Sequence, residues 1–323
     1  MNNKIRIGIC GYGNLGKGVE SEIAKSSDME LAAIFTRRGQ ISQTVPVVHV
    51  DDIAAWKDRI DVMILCGGSK SDLPQQGPAY AKLFNTVDSF DTHAKIPDHF
   101  ANVDNAAKAG NNISIISIGW DPGLFSLIRL YAGSVIKDGA TYTFWGSGVS
   151  QGHSEAIRGI EGVENAIQYT IPGDEAMERV RSGENPELTV REKHTRVCYV
   201  VAAQDADTKA IESTIKNMPD YFADYDTTVH FISHEEMKKN HSKLRHGGNV
   251  IHTGKTGDGN NQVIEFSLKL DSNPEFTSSV LLAYARAAYR LSAGGESGAR
   301  TIFDIPPKLL SESDPEEIVR TLL

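Results

Sequence analysis

Short apolar segments recur along the first third of the chain, at residues 5–10, 31–35, 62–66, 86–90 and 113–118, with a weaker one at 45–50. Each is too short for a helix and is rich in Ile, Val and Phe, so each predicts a buried strand. Between them, residues 14–25, 53–57, 75–82 and 98–110 carry helical spacing. Arg38-Gly39, Gly67-Gly68 and Gly110-Asn111-Asn112 mark turns. Strands alternating with helices predict βαβ units, and six in this rhythm predict a doubly wound parallel sheet of the Rossmann type.

The rhythm changes after Trp120-Asp121-Pro122-Gly123. A helix is expected at 124–136, then strands at 141–145, 163–171, 196–203, 227–232 and 262–271. Helices at 174–181, 208–217 and 234–240 interleave. This predicts an α+β domain with a mainly antiparallel sheet. A patterned helix at 277–291 is expected to return to the first domain. The expected division is therefore 1–120, completed by about 274–323, around a second domain at 121–273.

The chain has 323 residues, 40% hydrophobic and 23% charged, with a formal net charge of −9. Such a balance argues against a global pull on nucleic acid. The longest unbroken apolar run is seven residues, at 197–203, far below the ~20 of a membrane span, and no signal-type segment opens the chain. Cys10, Cys66 and Cys198 are widely spaced and form no C-x-x-C pair, which excludes a zinc ribbon and a disulfide scaffold. His230 and His234 lack a supporting carboxylate motif, so no metal site is expected. A reduced, cytoplasmic protein is the expectation.

Candidate chemistry begins at Gly11-Tyr12-Gly13-Asn14-Leu15-Gly16, which follows a strand and opens a helix. The first glycine allows the turn, the second lets a pyrophosphate approach, and the third lets helix and strand pack closely. An NAD site usually has Asp or Glu ~20 residues further on. Here the second strand ends in Thr36-Arg37-Arg38, two guanidinium groups and a hydroxyl that suit a 2′-phosphate. NADP is the expected cofactor, with Cys66, Gly67 and Ser69 at the next strand end.

Ligands of doubly wound sheets lie beyond the carboxyl ends of the strands. Asp91 and Asp121 follow two neighbouring strands, with Trp120 beside the second. Paired carboxylates near an indole suit an ammonium group, although each Asp is equally a common turn or helix cap. Either carboxylate could accept a proton from the amine. The sequence contains no G-x-S-x-G, so nothing points to a serine hydrolase.

At these residues the chain also resembles the meso-diaminopimelate dehydrogenase family. The likeness is carried by Gly11–Gly16 with Thr36-Arg37-Arg38, by residues 87–93, and by Gly119-Trp120-Asp121-Pro122-Gly123. It continues in Thr143-Phe144-Trp145-Gly146, Ser150-Gln151-Gly152-His153-Ser154, Gln168-Tyr169-Thr170, residues 218–222, His246-Gly247-Gly248 and residues 269–274. Leu124, Ser147 and Gly68 stand where the family more often has Met, Pro and a bulkier residue. The resemblance implies NADP-dependent oxidative deamination of the D-centre of meso-2,6-diaminopimelate, giving L-2-amino-6-oxopimelate, ammonia and NADPH, a step of lysine and cell-wall precursor biosynthesis. It implies a homodimer joined through the second domain. It places Asp91, Trp120 and Asp121 at the D-centre, and Trp145, Gln151, Gly152, Thr170, Arg196, His246 and Asn273 around the rest of the substrate. Another NADP oxidoreductase of amino-acid metabolism and a non-catalytic NADP sensor are the alternative readings.

Overall fold

The computed structural model describes residues 4–39 and 45–323, which divide into two compact units. The first comprises 1–127 with 274–323, the second 128–273. The chain thus leaves the first unit inside one helix and returns at the start of another.

The first unit is built on a seven-stranded sheet of order β14-β6-β5-β4-β1-β2-β3. Its strands are β1 (Ile5–Cys10), β2 (Met29–Thr36), β3 (Val47–His49), β4 (Val62–Leu65), β5 (Asn85–Asp88), β6 (Ile113–Ile115) and β14 (Gly298–Arg300). All neighbours pair in parallel. Six strands were expected; the seventh, β14, is three residues long and comes from the C-terminal segment.

Successive side chains of a strand point to opposite faces, and β4 shows the consequence. Val62 and Ile64 join a core with Ile5, Ile7 and Ile9, while Met63 and Leu65 join another with Phe35, Leu73 and Phe84. Helices α1 (Asn14–Ile23), α2 (Leu73–Ala81) and α3 (Ile96–Gly110) connect the strands, and Val50–Arg59 forms a 3-10 segment. The long helix α10 (Asn273–Ala293) covers the first core with Leu281, Tyr284, Ala285 and Ala288. It crosses α1 closely because Gly18 has no side chain: a Cβ there would stand 2.4 Å from Ser278 Oγ. Buried Arg286 then grips Asp28 with two hydrogen bonds of 2.6 and 2.8 Å.

The second unit opens within α4 (Leu124–Val135) and holds two sheets where one was expected. One has the order β11-β10-β9-β8, from β8 (Gly148–Val149), β9 (Val163–Pro172), β10 (His194–Ala202) and β11 (Asp226–Phe231). The other is antiparallel, with β12 (His246–Thr256) between β7 (Asp138–Trp145) and β13 (Asn260–Leu270). In the first of these sheets β10 runs parallel to β11 and the other pairs are antiparallel. The break falls at Gly146 (φ 114°), where a Cβ would lie 2.1 Å from the Thr170 carbonyl oxygen. Only glycine lets the chain turn there from one sheet into the next.

Candidate functional site

The loop after β1 and the ends of β2 and β4 enclose a cavity of about 290 Å3. Gly11, Tyr12, Gly13, Thr36, Arg37, Arg38, Cys66 and Gly67 all line it, so most of the expected cofactor residues meet in one place. Asn14, Leu15 and Gly16 lie just behind, opening α1. The three glycines do different work. A Cβ on Gly11 would reach 3.0 Å from the Cys66 carbonyl, and one on Gly16 would be 2.2 Å from the Gly11 oxygen. At Gly13 a Cβ would meet no atom within 4 Å, so the space above that residue is open. An extended diphosphate fits there, facing the start of α1, whose first turn carries no acidic residue.

Arg37 Nη2 lies 3.0 Å from Asp72 Oδ1, while the Arg38 guanidinium donates to the Tyr12 carbonyl. The Arg38 amide donates to Thr36 Oγ1 at 3.1 Å, which shapes the end of β2. The Arg37 side chain remains 72% exposed, accessible to an incoming phosphate. Asp72 was not anticipated from the sequence. The Gly68 N–H, 2.9 Å away, holds its carboxyl below the usual range, with help from Ser71 and Arg37. Gly68, Gln76 and Val50 complete the lining. With two guanidinium groups and no acid at the end of β2, the cavity's chemistry suits the 2′-phosphate end of a nicotinamide dinucleotide.

Asp91 and Asp121 follow the paired strands β5 and β6, but in loops beyond the strand ends. Asp91 is exposed; its amide donates to Ser69 Oγ at 2.8 Å, and Ser69 Oγ lies 3.3 Å from Thr92 Oγ1. Ser69 thus supports the Asp91 loop and does not line the cofactor cavity. Trp120 is buried edge-on against Phe125, and Asp121 beside it is half-buried.

In the second unit, Thr170 and Arg196 face each other across β9 and β10, and the Arg196 guanidinium donates to Thr170 Oγ1. Arg196 is only 7% exposed. Its Cζ stands 3.8 Å from the centre of the Tyr225 ring, and its Nε has no hydrogen-bond partner among the described residues. Burial pulls its pKa below the ordinary value. β8 joins the neighbourhood, since Gly148 pairs with Thr170 while a Cβ on it would touch His246 at 2.5 Å.

His246 Nδ1 accepts the Gly247 N–H at 2.8 Å, and burial lowers its pKa. Trp145 pairs with Gly248 and stacks on His194, whose Nε2 accepts the Trp145 N–H at 2.8 Å. Gln151 and Gly152 are exposed at the start of α5 (Gln151–Arg158). The Asn273 amide donates to the Leu244 carbonyl at 3.0 Å. The sequence pointed to neither Tyr225 nor His194, because their roles come from cross-strand neighbours. His230 stacks on Tyr199 and His234 pairs with Glu164, so the two histidines have separate partners.

A family model described as the diaminopimelic acid dehydrogenase C-terminal domain matches residues 119–272. The meso-diaminopimelate D-dehydrogenase of Ureibacillus thermosphaericus is 62% identical over 99% of this chain and 100% of its own length. The structure of the Corynebacterium glutamicum DAP dehydrogenase in complex with DAP superposes with a TM-score of 0.94 at 45% identity, covering 100% of both chains. An engineered D-amino acid dehydrogenase bound to NADP+ gives 0.88 at 43% identity, over 99% of this chain and 100% of that one. The chain belongs to the meso-diaminopimelate D-dehydrogenase family.

Proposed function

We infer that this chain catalyses the NADP-dependent oxidative deamination of the D-centre of meso-2,6-diaminopimelate, giving L-2-amino-6-oxopimelate, ammonia and NADPH. The observation that carries the reading is 62% identity to a meso-diaminopimelate D-dehydrogenase over essentially the whole of both chains, in a chain whose glycine loop and Arg37-Arg38 line one cavity. Bound NADP supplies the acceptor for the hydrogen and electron pair leaving the D-centre carbon.

The protein's part is charge and geometry. The substrate is a double zwitterion, so it needs anions for two ammonium groups and donors for two carboxylates. We assign Asp91 and Asp121, with Trp120, to the D-centre: one carboxylate orients the ammonium, accepts its proton and then helps water add to the imine. We assign Arg196, Thr170, His246 and Asn273, flanked by Trp145, Gln151 and Gly152, to the distal L-centre. A D-amino acid without the second zwitterion offers these groups nothing to bind, so they supply the specificity.

A homodimer belongs to the proposal. Leu130 (51% exposed), Tyr131 (63%) and Val135 (54%) on α4 and Val263 (41%) on β13 support contacts through the second unit. A cytoplasmic location is supported by three free cysteines. No described helix is long and apolar enough to cross a membrane.

Mixing the protein with NADP+ and meso-diaminopimelate should raise absorbance at the NADPH band, whereas the L,L-isomer should give none. A protein that binds NADP+ but produces no NADPH from the meso compound would refute the assignment. Asp121→Asn should keep NADP+ affinity and lower kcat about 100- to 10,000-fold, the usual worth of a general base. If only Asp91→Asn does so, the two carboxylates exchange roles.

A further inference from the structure

β5 ends on Asp88, a carboxylate 1% exposed and set behind the loop that carries Asp91. Its Oδ1 accepts two backbone N–H groups, from Phe90 at 3.0 Å and from Ser117 at 2.9 Å. These amides belong to different loops. Phe90 immediately precedes Asp91, while Ser117 lies in the segment leading to Trp120 and Asp121. The Asp88 carbonyl adds a third tie by accepting the Ile118 N–H at 2.9 Å.

The other carboxylate oxygen is held from behind. His99 Nε2, on α3, lies 2.9 Å from Asp88 Oδ2, and the imidazole is 4% exposed. Its ring stacks on Phe90 with centroids 4.2 Å apart and planes 16° from parallel. α2 makes room through Gly77, where a Cβ would stand 2.6 Å from His99 Cε1. The Asp88 carboxylate therefore has one rigid support and two loads.

A buried carboxylate is costly to desolvate, and an i to i+2 cap on Phe90 alone would be met by a shorter polar side chain. The second load explains the choice. Because both amides converge on one atom, their nitrogens stay within two hydrogen-bond lengths of each other. Ser117 also has φ 57°, a left-handed conformation unfavourable for a non-glycine residue, which the Asp88 bond helps to hold.

We propose that Asp88, backed by His99, is a positioning residue for the deamination, fixing the spacing of the Asp91 and Asp121 carboxylates by anchoring both loops on one oxygen. This rests on assigning those carboxylates to the D-centre. None of Asp88, Phe90, His99 or Ser117 lines the cofactor cavity, so cofactor binding is separable from the effect.

Wild type, Asp88→Ala, Asp88→Asn and His99→Phe would be compared for kcat and KM with meso-diaminopimelate, for NADP+ Kd, and for thermal unfolding. Displacing a reacting group by about 1 Å costs of the order of 100-fold. Asp88→Ala should therefore lower kcat about 10- to 100-fold with NADP+ Kd unchanged. Asp88→Asn should recover most of the rate, since its amide oxygen still accepts both N–H groups and its amide nitrogen faces His99. His99→Phe keeps the ring stack but loses the support of Oδ2, and should lower kcat in the same direction. Folded Asp88→Ala with wild-type kcat would overturn the proposal, as would an Asp88→Asn as slow as Asp88→Ala. Should Asp88→Ala fail to fold, an undiminished kcat in His99→Phe overturns it equally. If wild type makes no NADPH, the functional assignment fails and this role with it; if only the variants match wild type, the positioning role alone fails.

Discussion

Arg196→Met is the substitution that most sharply separates recognition from support. The guanidinium is 7% exposed, donates to Thr170 and lies 3.8 Å over the Tyr225 ring, while its Nε lacks a hydrogen-bond partner among the described residues. A buried cation so incompletely satisfied does little for the resting protein, because its desolvation offsets what those contacts return. Its proposed use is a substrate carboxylate. One charge-assisted hydrogen bond is worth about 1.5–3 kcal/mol, which at about 1.4 kcal/mol per decade is roughly 10- to 150-fold. Methionine fills a similar volume without charge, so kcat/KM toward meso-diaminopimelate should fall by that factor. Toward D-leucine, which has no distal carboxylate, kcat/KM should hold or rise, and Tm should hold or rise as well. The assay is NADPH formation with both substrates, alongside a thermal melt. Parallel losses on the two substrates, accompanied by a lower Tm, would place Arg196 in structural support and end the distal-clamp assignment.

Three further outcomes are expected. Replacing Arg37 and Arg38 by Ala should weaken NADP by about 10-fold or more per residue while sparing NAD, since each removes a charged donor from a 2′-phosphate; equal losses in titrations with the two cofactors would refute that use. Gly13→Ala should leave Tm unchanged but weaken NADP, because its Cβ enters open space, whereas Gly16→Ala should lose about 1–3 kcal/mol of stability against the Gly11 carbonyl, both measurable by denaturant melts with and without NADP. Stability should fall as pH drops from 6.5 toward 4. In that window the unfolded chain protonates at His194, whereas burial and the nearby Arg196 and Lys193 hold the folded imidazole down to about 4. The pH dependence of Tm should be shallower in His194→Gln, and an identical slope would refute the assignment.

The first sheet was legible because its signals are local. Short apolar runs mark β1, β2 and β4, alternating in the first and unbroken in the other two, and the glycine loop sits where a strand turns into a helix. β12 was missed: its eleven residues, His246–Thr256, include three glycines and are buried at most positions on both faces, so no alternation appears. β14 is too short to show any period. The split of the second unit into two sheets depends on Gly146 approaching the Thr170 carbonyl, a contact between distant residues. The same limit applies to the candidate sites. Thr36-Arg37-Arg38 declares a phosphate preference within three residues, whereas Asp72 reaches Arg37 only once β2 and the loop after β4 are assembled. Asp88 looks like an ordinary strand-end residue until Ser117 and His99 are brought to it.

The return of the chain through α10 has a consequence for synthesis on the ribosome. Residues 128–273 form one uninterrupted stretch and can complete their contacts as soon as they emerge. The earlier-made strands cannot, because the core over Ile5, Ile7 and Ile9 is closed by Leu281, Tyr284, Ala285 and Ala288, and Asp28 waits for Arg286. The order of maturation is therefore inverted relative to the usual N-terminal-first sequence. A nascent chain truncated before residue 274 carries a half-built dinucleotide fold whose first core is covered by Val19 and Ile23 of α1 but not by α10, a target for chaperones until that helix is released.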